Sequence, residues 1–276
     1  MSTTYPGFHE FEHAGWEDEQ VVAHYEREVA EVTRQSSPAL LAAGRVGAGS
    51  RVLDLACGPG FLSAAAAERG ADALGVDFSS AQVAAARRRY PSLRFEVADA
   101  SRLSFAESSF DAVLSGFGML HFPDARAAAL EAYRVLAPGG RFAFTVWELP
   151  DQAVALGALL RAVRAHGDLA VAMPEGPDFF ALSTPEYSRQ LLVGAGFRDP
   201  ESSRVDQVWR LATPEHVYDI FQRATVRMRA LLLAQSSERA AKIRAALRDE
   251  LAPYRRGDVY EVPMPALLVM GRKPGG

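Results

Sequence analysis

Short apolar runs alternate with alanine-rich helical stretches from Ser50 onward. This alternation is typical of successive strand and helix units arranged around a parallel sheet. A glycine or proline follows each intervening helical stretch, as expected where a helix ends. The pattern therefore predicts an α/β fold. Its first five strands are expected at Arg51–Leu55, Ala73–Asp77, Leu93–Val97, Phe110–Ser115 and Arg141–Val146.

The pattern becomes less regular after the fifth strand. Gln152–His166 is predicted to be helical, and a loop rich in proline and glycine follows it. A capping residue with proline next to it predicts helices that begin near Thr184 and Thr213. We expect a sixth strand within Ser202–Leu211 and a last strand over Val259–Arg272.

Composition narrows the classes of partner. Lysine plus arginine total 30 against 34 aspartate plus glutamate, so the net charge of -4 gives no field that would recruit nucleic acid or an anionic membrane. The single cysteine, Cys57, excludes an intrachain disulfide and fits a reducing compartment. No apolar stretch has the length of a membrane span, and the acidic N-terminal segment is unlike a secretory signal. We therefore expect a cytoplasmic protein with no membrane insertion and, without paired cysteines or a suitable acidic cluster, no metal.

A glycine-containing loop and two carboxylates follow the first three strands. Gly58 and Gly60 lie between the first strand and a helix, where the backbone can approach a ligand closely. Asp77 ends the second strand 17 residues after Gly60, where a carboxylate can accept hydrogen bonds from a ribose diol. Nicotinamide and adenosyl cofactors both satisfy this pattern. Ser63 replaces the third glycine of the dinucleotide fingerprint, and Asp99 suits an adenine amine, so an adenosyl compound is favoured.

Five segments carry a family resemblance. They are Val52–Gly60 (VLDLACGPG), Gly75–Ser79 (GVDFS), Val97–Ala100 (VADA), Phe110–Leu114 (FDAVL) and Arg134–Gly140 (RVLAPGG). In order and spacing they resemble the class I S-adenosylmethionine-dependent methyltransferases, most of all the small-molecule branch of ubiquinone and menaquinone biosynthesis and natural products. The resemblance implies a Rossmann-like, doubly wound sheet of seven mostly parallel strands, the last antiparallel, with helical lid insertions.

The resemblance also implies a division of the chain and a cofactor, S-adenosyl-L-methionine, whose product is S-adenosyl-L-homocysteine. Residues 1–49 would form an N-terminal helical lid, 50–150 the cofactor-binding core, 151–182 a helical insert over the acceptor, and 183–276 the rest of the core with a helical insertion at about 213–256. The glycine loop would hold the methionine part, acidic residues the ribose and adenine, and the N-terminal lid would close over them. The implied cofactor-binding set is Tyr25, Thr33, Gln35, Ala56, Cys57, Gly58, Gly60, Asp77, Phe78, Asp99, Ala100, Ser115 and Gly116.

Other residues are candidates for chemistry on the acceptor. His121 follows the fourth strand and either accepts the proton of a hydroxyl or amine nucleophile as general base or braces its loop. Arg223, Arg227 and Arg229, with Arg255 and Arg256, either bind a phosphate-bearing acceptor or form a solvated face. Five aromatic residues in or next to the predicted lids either line an apolar acceptor pocket or pack in the core. These are Trp147, Phe179, Phe180, Trp209 and Phe221.

The sequence thus predicts methyl transfer to a small apolar or aromatic acceptor, of the kind found in secondary metabolism or resembling a quinone. An adenosyl-binding enzyme of non-methylating type, catalysing cyclisation or decarboxylation, and methylation of a prenyl diphosphate are the alternatives. An NAD-dependent oxidoreductase is opposed by Ser63, and a non-enzymatic partner subunit by the intact glycines and aspartates. The expected partner is a small molecule, and a homodimer is left open.

Overall fold

The computed structural model describes Tyr5 and residues 7–275. The predicted N-terminal lid therefore begins partly outside the described residues, in residues 1–4 and 6. Ten strands are found within the described part: β1 Arg51–Leu55, β2 Asp72–Asp77, β3 Arg94–Val97, β4 Phe110–Gly116, β5 Leu136–Trp147, β6 Arg198–Val205, β7 Val208–Leu211, β8 Arg255–Arg256, β9 Val259–Pro263 and β10 Ala266–Arg272. The helices are α1 Phe8–Trp16, α2 Glu19–His24, α3 Ala30–Thr33, α4 Ser37–Ala43, α5 Phe61–Glu68, α6 Ser80–Arg89, α7 Ala125–Val135, α8 Val154–His166, α9 Pro185–Gly194, α10 His216–Ala224, α11 Arg227–Leu233 and α12 Ser237–Leu251.

Seven strands form one sheet in the order β3-β2-β1-β4-β5-β10-β6. The pairs among β1 to β5 are parallel, and β10 is antiparallel to both of its neighbours. The predicted seven-stranded, mostly parallel sheet with an antiparallel last strand is confirmed. The strand order reverses between β1 and β4, and in such sheets ligands bind beyond the carboxyl ends of the strands at this point.

Helices cover both faces of the sheet, which explains why its strands are continuously apolar. On one face Val52 and Leu114 pack with α4 and α5, and on the other Leu53 and Val113 pack against α7. All four strand residues are fully buried. None of the helices in the described part of the chain is long and apolar enough to cross a bilayer.

A second, three-stranded sheet in the order β7-β9-β8 lies outside the sequence prediction. The expected sixth strand divides into β6 and β7, and the expected last strand into β9 and β10. Gln207 lies between β6 and β7 and is the physical reason for their separation. The amide of its buried side chain donates to Val32 O at 2.7 Å, and its backbone carbonyl accepts from Met264 N at 2.9 Å. Pro265 follows Met264 and has no N–H to continue a ladder.

The N-terminal helices face α10 and α11. The helix predicted from Thr213 onward is two helices, because Thr225 has an extended backbone (φ -134°, ψ 171°) between them. Arginines of α10 and α11 pair with acidic residues of the N-terminal segment. The pairs are Arg227 with Glu12, Arg229 with Asp18, and Arg223 with Glu28.

Candidate active site

The loop between β1 and α5 folds as a tight turn at the carboxyl edge of the sheet. Ala56, Gly58 and Gly60 all have a left-handed backbone, with φ of 57°, 51° and 83°. A Cβ at Gly60 would lie 2.7 Å from Cζ of Phe95, so only glycine fits there. Gly60 therefore shapes the loop, and it lines none of the three cavities described below, in contrast to the predicted ligand contact.

Asp77 ties this loop to the end of β2. Its Oδ2 accepts from Gly58 N at 2.9 Å and its Oδ1 accepts from Ser79 N at 3.0 Å. Burial raises the pKa of Asp77 to about 6, against the lowering effect of these two hydrogen bonds. Each carboxylate oxygen keeps a second lone pair, so Asp77 can still accept two donors from a ligand.

Asp54 lies beneath the loop. Burial raises its pKa to about 7, although Ser63 Oγ donates to its Oδ2 at 2.6 Å. Since Ser63 is on α5, this bond fixes the start of that helix against β1. Cys57 is also buried among Val83 and Phe95, and burial raises the pKa of its thiol well above its ordinary value. The thiol is therefore a packing group rather than a nucleophile.

A large cavity of about 490 Å³ opens beside Asp77, beyond the carboxyl ends of β1, β2 and β4. Its lining includes eight of the residues implied by the resemblance: Tyr25, Ala56, Gly58, Asp77, Phe78, Asp99, Ala100 and Gly116. Gln82 also lines it, and the buried Oε1 of Gln82 has no hydrogen-bond partner in the described part of the chain. Asp77 and Gln82 thus offer acceptors for ribose hydroxyls, and this set of acceptors fits an adenosyl group.

The far end of the large cavity suits a flat ring. Asp99 is exposed, and its Oδ1 accepts from both N and Oγ of Ser101, at 2.8 and 2.7 Å. Phe78 lines the same cavity, and its ring centroid lies 6.0 and 5.4 Å from those of His9 and His13. An amine on a ring held here can donate to the Asp99 carboxylate.

A small cavity of about 50 Å³ adjoins the glycine loop, and Tyr25, Thr33, Cys57 and Gly58 are among its lining residues. Arg34 also lines it, and its guanidinium makes no hydrogen bond or ion pair with the described residues. A free cation next to the glycine loop suits a carboxylate ligand.

An apolar cavity of about 200 Å³ shares Tyr25 with the large and the small cavity. The structure brings all five predicted aromatic residues to its wall, namely Trp147, Phe179, Phe180, Trp209 and Phe221. Tyr25 and Phe117 line all three cavities, while Trp16 and His121 line both the large and the apolar one. These four residues define the junction of the cavities.

His121 is held at this junction by a buried carboxylate. Its Nδ1 lies 3.0 Å from Oε2 of Glu12, which also accepts from Trp16 Nε1 at 3.1 Å. Oε1 of Glu12 accepts from Arg227 Nε at 2.8 Å. Trp16 packs edge-on to the imidazole, with ring centroids 5.2 Å apart. His121 thus has one nitrogen in a fixed ion-paired network and lines both cavities.

Two predicted cofactor contacts, Gln35 and Ser115, line none of the three cavities, and their part in cofactor binding stays a prediction. Gln35 is exposed, and its amide pairs with the backbone of Val208, donating to its O at 2.9 Å and accepting from its N at 3.0 Å. The Gln35 amide therefore satisfies the backbone N–H and C=O of Val208 at the start of β7, as a neighbouring strand would. Ser115 is fully buried in β4, lines none of the three cavities, and its Oγ has no hydrogen-bond partner among the described residues.

The five arginines predicted either to bind phosphate or to form a solvated face all make contacts within the chain. Arg223, Arg227 and Arg229 pair with carboxylates of the N-terminal segment, so their charges are already matched. Arg255 and Arg256 are exposed on β8 and donate to nearby backbone carbonyls.

Sequence reasoning missed several residues of the site, namely Glu12, Trp16, Arg34, Gln82 and Phe117. Phe117 has a left-handed backbone with φ of 62°, which no local pattern indicates. The sequence also contains His9-Glu-Phe-Glu-His13, which matches the zinc-binding motif HExxH. The two imidazoles stack at 6.3 Å, and no group of three metal-ligating side chains occurs within Tyr5 and residues 7–275.

The chain is similar to known methyltransferases. Residues 53–144 match a family model described as a methyltransferase domain. A demethylmenaquinone methyltransferase of Beutenbergia cavernae is 40% identical over 151 residues, which are 53% of this chain and 63% of that relative. An uncharacterized protein of Mycobacterium tuberculosis is 32% identical over 198 residues, 70% of each chain. The chain thus matches less than two thirds of the Beutenbergia relative.

Solved structures share the fold. The phosphoethanolamine N-methyltransferase 2 of Haemonchus contortus, solved with phosphomonomethylethanolamine and S-adenosylhomocysteine, superposes with a TM-score of 0.58. The match covers 97% of this chain and 60% of that one at 19% identity, so it supports the fold alone.

Proposed function

This chain belongs to the class I S-adenosylmethionine-dependent methyltransferases, and from that premise we propose that it methylates a small, flat, apolar or aromatic acceptor of quinone-like kind. The observation that carries the proposal is the junction at Tyr25, Phe117 and His121, where the large cavity, whose polar groups fit an adenosyl group, meets an apolar cavity. The name of the Beutenbergia relative supports a quinone-like acceptor. The lone cysteine supports a cytoplasmic location.

We assign the cofactor's parts to residues on the cavity walls. Asp77 and Gln82 would accept from the ribose hydroxyls, Asp99 from the adenine amine, and Phe78 and Ala100 would flank the ring. Arg34 and the glycine loop at Ala56 and Gly58 would hold the amino-acid portion in the small cavity. Tyr25 and Thr33 line that cavity as well, which supports their predicted place in the lid.

The apolar cavity supports the acceptor class. Its wall is formed by the N-terminal helices, by α8 with Phe179 and Phe180, and by α10 and α11. This arrangement supports the predicted lid roles of residues 1–49 and 151–182. A flat apolar ring would be desolvated there against Trp147, Trp209 and Phe221.

In the mechanism we propose, the main task of the protein is to align the acceptor atom with the methyl group of the cofactor. When bound, the cofactor supplies an electrophilic methyl group on a sulfonium whose leaving group is a neutral thioether. Phe117 and Tyr25 at the junction would hold the acceptor atom in line with that methyl and exclude water. His121 would accept a proton from the acceptor at Nε2, because its Nδ1 is held by Glu12.

The paired arginines argue against a prenyl diphosphate acceptor, because Arg223, Arg227 and Arg229 each already have a carboxylate partner. A non-methylating reaction remains the second candidate, since the same two cavities would serve it. The fate of the methyl group distinguishes the two candidates, because it reaches the product only in methyl transfer and stays on the cofactor in a non-methylating reaction.

The test combines binding with turnover. Calorimetric titration with S-adenosylhomocysteine, with NAD as control ligand, is expected to give binding of the first alone. Methyl-labelled S-adenosylmethionine is then incubated with quinol, naphthol and prenyl diphosphate acceptors, and label is followed into product. Phe221→Trp narrows the apolar cavity and should abolish transfer while retaining cofactor binding. Phe105→Trp, outside all three cavities, is the matched control. Absence of binding, or label found only in unreacted cofactor with every acceptor, would sink the proposal.

A further inference from the structure

Glu12 is a buried acid that no sequence pattern singled out. It lies on α1 with 1% of its surface exposed, and both of its oxygens are occupied. Oε1 accepts from Arg227 Nε, and Oε2 accepts from Trp16 Nε1 and contacts His121 Nδ1. A buried ion pair is a poor way to gain stability, because apolar residues of similar volume often serve as well. The position therefore calls for a role beyond packing.

The charge state of Glu12 decides what His121 can do. Burial acts to raise the pKa of Glu12, but the charges and hydrogen bonds of His121 and Arg227 outweigh it, so the pKa is lowered. An ionised carboxylate only accepts hydrogen bonds. His121 must therefore donate from Nδ1, and in the neutral ring Nε2 then carries the lone pair. Nε2 makes no hydrogen bond with the described residues, and the ring lines both cavities.

Arg227 fixes Glu12 in turn. Its Nη1 donates to Pro177 O at 3.2 Å and its Nη2 to Leu120 O at 2.9 Å. Its guanidinium carbon lies 4.4 Å from the ring centroid of Phe8 and 5.4 Å from that of Phe179. One cation therefore locks the carboxylate, the turn that carries His121 and the wall of the apolar cavity together.

We propose that Glu12 is a positioning residue that holds His121 in the Nδ1–H tautomer, so that Nε2 faces the acceptor as a proton acceptor. This inference rests on the proposed function. In the step it serves, the acceptor's bond to hydrogen breaks and the proton goes to Nε2. The freed electron pair forms the new bond to the methyl carbon, and the electrons of the carbon–sulfur bond stay on sulfur. The imidazolium is then paired with Glu12, and its proton leaves to solvent.

Three charged groups face His121 and would tune this step. Glu12 and Arg227 form the network, and Asp77 interacts with His121 through its charge. Because Asp77 also serves the cofactor in our proposal, variants of Asp77 are unsuitable as tests of the base. Glu12→Gln is the sharper test, since it keeps the size and the contact with Arg227 but allows the amide to donate toward Nδ1.

The first measurement is the tautomer itself. Nitrogen-15 imidazole spectra, with His121→Asn to identify the signals, are expected to show His121 as Nδ1–H in the wild type and as Nε2–H or a mixture in Glu12→Gln. Glu12→Asp should restore the wild-type tautomer in part. Glu12→Gln with Arg227→Met removes the unpaired cation and serves if the single variant unfolds. An Nε2–H ring in the wild type, or the same tautomer in folded variants, overturns the inference.

The second measurement is kinetic. With an unsubstituted naphthol, Glu12→Gln is expected to lower kcat by about 100-fold or more, the contribution of a general base, while leaving the affinity for S-adenosylhomocysteine unchanged. With a nitro-substituted naphthol that is already ionised, kcat should stay near the wild-type value. An equal loss with both naphthols indicates a structural role and overturns the inference. If the wild-type protein does not bind S-adenosylhomocysteine, that result counts against the proposed function. The tautomer of His121 can still be measured by nitrogen-15 spectra in that case.

Discussion

Replacement of Asp77 by Asn tests whether its carboxylate holds the cofactor's ribose. The side chain keeps its size and one acceptor oxygen, and the amide loses the negative charge that strengthens hydrogen bonds from ligand hydroxyls. Charge-assisted hydrogen bonds contribute about 1.5–3 kcal/mol and neutral ones about 0.5–1.5 kcal/mol. We therefore expect a loss of about 1–3 kcal/mol in affinity for S-adenosylhomocysteine, a factor of about 5 to 150.

The pH dependence of binding gives the same prediction a second signature. Burial raises the pKa of Asp77 to about 6, so the free protein holds a proton there at pH 5. Two hydroxyl donors favour the ionised form, so binding expels that proton and weakens as pH falls through 6. For a pKa of about 6, wild-type affinity should be about tenfold weaker at pH 5 than at pH 7.5. Asp77→Asn removes this group and should show no such loss near pH 6.

Calorimetry at both pH values, in two buffers of different ionisation enthalpy, measures affinity and proton release together. Asp99→Asn is a useful comparison, because its carboxylate is exposed and serves the adenine end in our assignment. Wild-type affinity in folded Asp77→Asn at pH 7.5 would refute the reasoning. So would a wild-type affinity that does not change between the two pH values.

Three further substitutions test predicted site residues that line none of the three cavities. Gly60→Ala is expected to lower the free energy of unfolding by about 1–3 kcal/mol, because the new Cβ would meet Phe95 and φ at this position is positive. Gly194→Ala is the control, since a Cβ there meets open space. Thermal melts compare the two variants, and equal effects would contradict the close approach of Gly60 to Phe95. Gln35→Ala should lower stability by about 0.5–1.5 kcal/mol through the freed backbone of Val208 without changing S-adenosylhomocysteine affinity, and weaker binding would return Gln35 to the site. Ser115→Ala removes a buried hydroxyl that has no partner within the described residues, so melting temperature should hold or rise, and a clear fall in it would reveal a missing hydrogen bond.

The core of the fold was readable from sequence because its signals are local. Apolar runs, the turn residues after each helix and the glycine loop predict β1 to β5 and their helices, and the carboxyl ends of parallel strands necessarily meet at one edge. Asp77, Phe78, Asp99 and Ala100 were found for this reason, since each lies at the end of a strand or within three residues after it. The aromatic residues of the apolar cavity could be grouped from the sequence only because their side chains are all aromatic, since no spacing pattern connects them.

The remainder depended on contacts between distant parts of the chain. Glu12 and His121 are 109 residues apart, and Glu12 and Arg227 are 215 apart, so no spacing rule relates them. Gln35 and Gln207 pair with backbone groups more than 170 residues away, so no local pattern could place either side chain. The sequence by itself determined where a cofactor edge can form, because strand ends are set locally. Tertiary structure alone decided which buried charges meet at the junction, because a carboxylate can be stable there only beside the cation and imidazole that the fold brings to it.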